Sequence, residues 1–111
     1  MQYLCLIYDD EKRWSNGYDP AEMAGYRALH EQFGPAIKGG NALQPTKTAS
    51  TVRVRNGQSL TTDGPFAETK EQLAGYYLID AKDQNEAFQF ASKIPAARTG
   101  SIEVRPIMVF S

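Results

Sequence analysis

Nine residues at the middle of this 111-residue chain carry its densest chemistry: Asp63-Gly64-Pro65-Phe66-Ala67-Glu68-Thr69-Lys70-Glu71. Four of them are ionisable. A carboxylate such as Asp63 can take up and release a proton if it faces a pocket, or it can cap its own turn, as Asp commonly does. Its natural partner would be a group that titrates near neutrality, and the chain has one histidine, His30. His30 and Asp63 are therefore the candidate acid–base residues, with a histidine satisfied by a hydrogen bond or water as the plain alternative. Glu68, Lys70 and Glu71 place a cation between two anions, which suits a polar ligand and equally a surface ion pair. Phe66 reads first as an anchor plugging the core and second as a ligand contact. Tyr76 and Tyr77 fall on opposite faces of a strand, so only one can line a pocket between subunits, and Tyr76 joins Phe66, Glu68 and Lys70 among the candidate ligand contacts.

The elements around the loop must hold it still. Gly64 can take a positive φ, while Pro65 fixes its own φ near −65° and keeps the preceding residue out of the α region. The segment from Ser50 to Thr62 feeds the chain into Asp63. Within it Thr51-Val52-Arg53-Val54-Arg55 alternates apolar and charged residues as a half-exposed strand does, and Asn56-Gly57 signals a type I′ hairpin. Beyond the loop, Leu73-Ala74-Gly75-Tyr76-Tyr77-Leu78-Ile79 is continuously apolar, like Tyr3-Leu4-Cys5-Leu6-Ile7-Tyr8 near the start. Such runs describe strands covered on both faces.

Two helices are signalled by their caps. Asp19-Pro20-Ala21-Glu22 combines an N-cap, a proline at the first helical position and a glutamate placed for a capping box. Met23, Tyr26, His30, Phe33 and Ile37 follow at helical spacing, with Leu29 widening the stripe and Pro35 ending the regular helix near Phe33 or Gly34. Asp83-Gln84-Asn85-Glu86 opens a second helix with Ala87, Phe88, Phe90, Ala91 and Ile94 inward, stopped by Pro95. Ile102 to Met108 is the last strand, and Pro106 puts it near a sheet edge. Asp9 to Arg13 ends the first strand in charge, and Trp14-Ser15-Asn16-Gly17-Tyr18 is a loop whose aromatics lid the core edge.

The order β, α, hairpin, loop, β, α, β predicts an α+β fold. It is a ferredoxin-like antiparallel sheet with two helices on one face and an inserted β-hairpin, in one domain spanning residues 1–111. That layer leaves one face of the apolar central strands bare, and a second copy of the chain, sheet against sheet, covers it at least cost.

Composition narrows the function. Hydrophobic content of 41%, charged content of 23% and a net charge of −1 without a basic run exclude a nucleic-acid footprint. No apolar stretch approaches a membrane span, so no membrane partner is expected and the cytoplasm is the default compartment. Cys5, the only cysteine, lies in an apolar run and reads as a buried hydrophobe. No metal cluster or phosphate loop is visible, and no cofactor is implied.

The central motif, with Leu73-Ala74-Gly75-Tyr76-Tyr77 after it, resembles the signature of the DGPF branch of the YCII-related proteins. Leu6-Ile7-Tyr8, Gly39 to Pro45, Thr51 to Arg55, Ile94 to Arg98 and Ile102 to Ile107 support the match over nearly the whole chain. The resemblance implies a dimeric α/β barrel in an uncharacterised bacterial protein, and association with extracytoplasmic-function sigma factors. More distant relatives are thought to use a His and Asp pair, and Asp63 matches the aspartate of the motif. Two functions follow as expectations: a small-molecule enzyme or binder using Asp63 and His30, or an accessory protein acting by contact on a sigma factor in transcription regulation.

Overall fold

The computed structural model describes residues 1–14 and 17–110, so residues 15 and 16 of the aromatic loop lie outside the described residues. Six strands and two helices follow one another as β1 (Gln2–Asp9), α1 (Pro20–Phe33), β2 (Ile37–Ala42), β3 (Ser50–Arg55), β4 (Gln58–Asp63), β5 (Gln72–Asp80), α2 (Gln84–Lys93) and β6 (Ser101–Pro106). Four strands form an antiparallel sheet in the order β2-β5-β1-β6, and β3 pairs with β4 alone. The chain is therefore a mixed α+β fold of ferredoxin-like topology. The two apolar strands occupy its centre, and β6, with Pro106, lies at an edge.

Alternation along β1 decides which side becomes core. Tyr3, Cys5 and Ile7 are buried with Tyr77 and Ile79 of β5, against Leu29 of α1 and Ala87, Phe90 and Ala91 of α2. Both helices thus cover one face. Leu4, Leu6 and Tyr8, with Tyr76 and Leu78, point the other way and are only half-buried. Burial raises the Cys5 thiol to about 11, which leaves it a neutral, inert filler of the core.

The caps form as their residues dictate, with one exception. Asp19 accepts from the Ala21 amide at 3.0 Å and Asp83 from the Glu86 amide at 2.9 Å. Glu22 turns instead to Arg13 at 2.8 Å, since an ion pair outweighs a reach-back to a backbone amide. α1 stops at Phe33, where Pro35 removes the amide needed for another turn. Its stripe is split: Tyr26, Leu29 and Phe33 pack on the core, while Met23 and His30 are exposed beside a cavity. Phe88 of α2, expected inside, is 46% exposed, because it lies a quarter turn off the Ala87–Ala91–Ile94 line.

The hairpin differs most from expectation. Asn56 (φ 52°) and Gly57 (φ 74°) make the tight turn, yet neither face of β3 or β4 is covered. Only Thr51 is half-buried, and Val52 and Val54 are exposed, as is Arg53 between them. The hairpin stands off the sheet, which explains a radius of gyration of 15.9 Å against about 13 Å for a compact chain of this length.

Candidate functional site

The chain's main cavity, about 720 Å³, opens between α1, the end of β1 and the β2–β5 edge of the sheet. Its size suits a small organic ligand. His30 projects from α1 and Tyr77 from β5, and their Nε2 and hydroxyl oxygen lie 3.1 Å apart. The Tyr77 ring is fixed from behind by Phe90, edge to face at 5.5 Å. Burial raises the Tyr77 phenol above its ordinary range, so it stays protonated at neutral pH. Tyr26, one helical turn before His30, is raised to about 12 by burial first and by Glu22 and Tyr77 after it. The side of the cavity next to α1 therefore presents two phenols and an imidazole.

Next to them lies a carboxylate that the charge run at the end of β1 concealed. Asp9, expected among solvated charges, is 1% exposed, because alternation along β1 points it inward one step beyond Ile7. A buried carboxylate needs full hydrogen bonding, and Asp9 has it. The Asp10 amide donates at 2.9 Å, the Thr99 hydroxyl at 2.9 Å and the Arg13 guanidinium at 2.5 Å. Arg13 spans from Asp9 to Glu22 of α1, so one cation is shared by both acids that line the cavity. Trp14 and Tyr18, stacked with ring centroids 6.3 Å apart, form a further wall.

The candidate residues read from the sequence are divided by the structure. His30 and Tyr76 line the cavity; Tyr76 lies on β5 with its hydroxyl accepting from the Asn41 amide at 2.9 Å. Asp63, Phe66, Glu68 and Lys70 do not line it and are all exposed. Asp63 closes β4 at the base of the hairpin, paired with Ser50. Phe66, expected to plug the core, is 79% exposed, because its loop follows the hairpin that stands off the sheet. Gly64 does adopt a positive φ, 101°, and the loop is pinned by the Gly64 amide to Ala49 at 2.8 Å and by Thr51 Oγ1 to the Gly64 carbonyl at 2.9 Å.

Tyr77, Tyr26, Asp9, Arg13 and Glu22 escaped the sequence reading as site residues. The signal was present for the ion pairs, since Asp9 and Arg13 are four residues apart at the end of an apolar strand. For Tyr77 it was not, because an inward tyrosine on a core strand looks the same whether it meets a helix or a cavity. Among the described residues no group of three or more His, Cys, Asp or Glu could hold a metal ion, and no helix is long and apolar enough to cross a membrane.

Comparison with known proteins agrees with this architecture. The YCII-related domain matches residues 1–111. An uncharacterized protein of Rhizobium meliloti is 42% identical over 117 residues, covering 99% of this chain and 94% of the relative. Among solved structures, a 5-chloro-2-hydroxyhydroquinone dehydrochlorinase from Burkholderia phenoliruptrix, in complex with 2,5-dihydroxybenzoquinone, superposes with a TM-score of 0.61 at 14% identity, over 97% of this chain and 94% of that one. That likeness is one of fold.

Proposed function

Because the chain belongs to the YCII-related family, whose fold it shares with a small-molecule enzyme, we propose that it binds a small organic molecule in the cavity and exchanges a proton with it through His30. The observation that carries this reading is the 3.1 Å contact between His30 Nε2 and the Tyr77 hydroxyl inside a cavity of about 720 Å³. An imidazole changes charge within the ordinary pH range, and a buried phenol that keeps its own proton orients the ring and donates to it or to the ligand. Asp9 is not the base: its oxygens are fully engaged by Arg13, Thr99 and the Asp10 amide.

Asp63, Phe66, Glu68 and Lys70 enter this reading as groups brought to a neighbouring molecule by a second copy of the chain. The half-buried face of Leu4, Leu6, Tyr8, Tyr76 and Leu78 and the exposed Val52, Val54 and Phe66 support a homodimer, which should bury more than about 1,000 Å². Light scattering at micromolar concentration should give twice the chain mass. A monomer would remove the loop from the site and turn these residues into a docking face for another protein, the sigma-factor expectation being the first to pursue.

The test of the chemistry is a thermal-shift and turnover screen of small phenols, quinones and chlorinated or lactone-like metabolites, with 2,5-dihydroxybenzoquinone included on the strength of the fold neighbour. For a compound that is turned over, His30→Gln should lower the rate by about 100-fold or more while binding persists. Tyr77→Phe should lower it less, and Asp63→Asn should couple to His30→Gln if the loop reaches the site. A substrate indifferent to His30→Gln sinks the proposal.

A further inference from the structure

We infer that the ligand of this cavity is a flat aromatic ring that stacks on the Trp14–Tyr18 wall, and that Arg13 is the positioning residue that holds this wall; the inference rests on the small-molecule reading above. Trp14 and Tyr18 both line the cavity, yet neither belongs to the hydrophobic core, and Tyr18 is 56% exposed. Their rings are inclined by only 28°. Two large π faces set near parallel at a cavity wall, Trp14 half-buried and Tyr18 exposed, leave surface available to a third ring.

The Trp14 half of the wall is also fixed in advance, which is what separates a recognition surface from a loose loop. Trp14 ends a 3-10 turn, Glu11–Trp14, that is tied at both ends. At its start the Glu11 amide donates to Gln72 at 2.9 Å, and the Glu11 carboxylate accepts from the amide and hydroxyl of Thr46. Near its end Arg13, directly before Trp14, grips Asp9 on β1 and Glu22 on α1. Asp9 is itself held by Thr99. Through Arg13 the wall is thus referred to the sheet and to the helix that carries His30. A lysine in its place could meet only one of the two acids well, because only a planar guanidinium forks to both.

The experiment compares hydroquinone with its saturated counterpart, cyclohexane-1,4-diol, by calorimetry; the two place hydroxyl groups at the same ring positions and differ in flatness, π character and hydroxyl acidity, and the Tyr18→Leu arm separates stacking from acidity. Hydroquinone should bind about fivefold tighter or more. Tyr18→Leu should abolish that ratio. Arg13→Gln should abolish it too and shift the emission of Trp14, the sole tryptophan, to longer wavelength, with Arg13→Lys restoring part of both. Equal affinities for the two probes overturn the inference and leave the small-molecule reading standing. So does a ratio unchanged in Tyr18→Leu, or unchanged in Arg13→Gln once Trp14 emission has moved. Binding of neither probe in the millimolar range overturns the inference as well, while the small-molecule reading is judged separately by its own screen.

Discussion

Replacing Gly100 by alanine should test how tightly the site is built into the sheet. Gly100 precedes β6 where that strand leaves the end of β1, and its amide donates to the Ala96 carbonyl at 2.7 Å. A Cβ there would stand 2.0 Å from the Tyr8 carbonyl oxygen and 3.0 Å from Asp9 Cα. Carbon–oxygen contacts between strands ordinarily measure about 3.3–3.6 Å. The strands must then part by about 1.3 Å or more, and the three nearest atoms are all backbone, so no side chain can rotate to make room. Overpacking costs about 1–3 kcal/mol, and the absence of any soft neighbour puts this case at about 3 kcal/mol. At about 4 °C per kcal/mol for a domain of this size, the thermal midpoint should fall by about 12 °C. Gly39→Ala is the matched control: that strand glycine has no positive φ, and a built Cβ would meet only Leu78 Cβ at 4.0 Å, an ordinary contact. It should change stability by no more than about 0.5–1 kcal/mol, toward stabilisation. Urea unfolding of both variants measures the difference. A Gly100→Ala protein within about 1 kcal/mol of the parent would refute the reasoning.

Gly64→Ala should lose about 1 kcal/mol or more for a different reason, the positive φ of 101° with open space around it, and an unchanged melting midpoint would contradict that. Asp9→Asn keeps one acceptor oxygen and so serves either the Asp10 amide at Oδ1 or Thr99 and Arg13 at Oδ2, but not both, and about 2 kcal/mol or more should be lost in the same urea assay. The Cys5 thiol, raised by burial from 9.0 to about 11, is protonated in the folded chain where the unfolded one has ionised. The unfolded state then binds fewer protons, so this contribution to stability is complete below about pH 9 and is lost between about pH 9 and 11. The loss is about 2–3 kcal/mol. Cys5→Ala should flatten that part of the pH profile, and parallel profiles for the two proteins would count against it.

What the sequence disclosed follows from how local each determinant is. Continuous apolar runs placed β1 and β5 at the sheet centre, Asn56-Gly57 placed the hairpin turn, and Asp19 and Asp83 placed the helix starts, because each depends on neighbours within a few residues. The site was less legible because it is assembled across the chain. The His30–Tyr77 contact joins residues 47 positions apart, and the Asp9–Thr99 bond joins residues 90 apart. Helical phase placed His30 toward the sheet, but phase does not distinguish a core from a cavity. The dense charge of residues 63–71 points to Asp63, whereas in one chain the buried acid lining the same cavity as the histidine is Asp9, hidden in a run that composition alone assigns to solvent.

The strand order has a consequence for how the chain is made. β1 leads the sequence, yet its sheet partners are β5 and β6, the two last strands. About 60 residues must be synthesised after β1 before β5 exists, and at about 5–20 residues per second that takes about 3–12 s. Throughout that interval Tyr3 to Tyr8 is an apolar ribbon without a hydrogen-bonding partner. α1 can form early on its own caps, but it has no sheet to lie on, and the Asp9–Arg13–Glu22 bridge can close before the floor beneath it is complete. The growing chain must therefore keep its first strand unpaired and available until residues 72–80 and then 101–106 have been made.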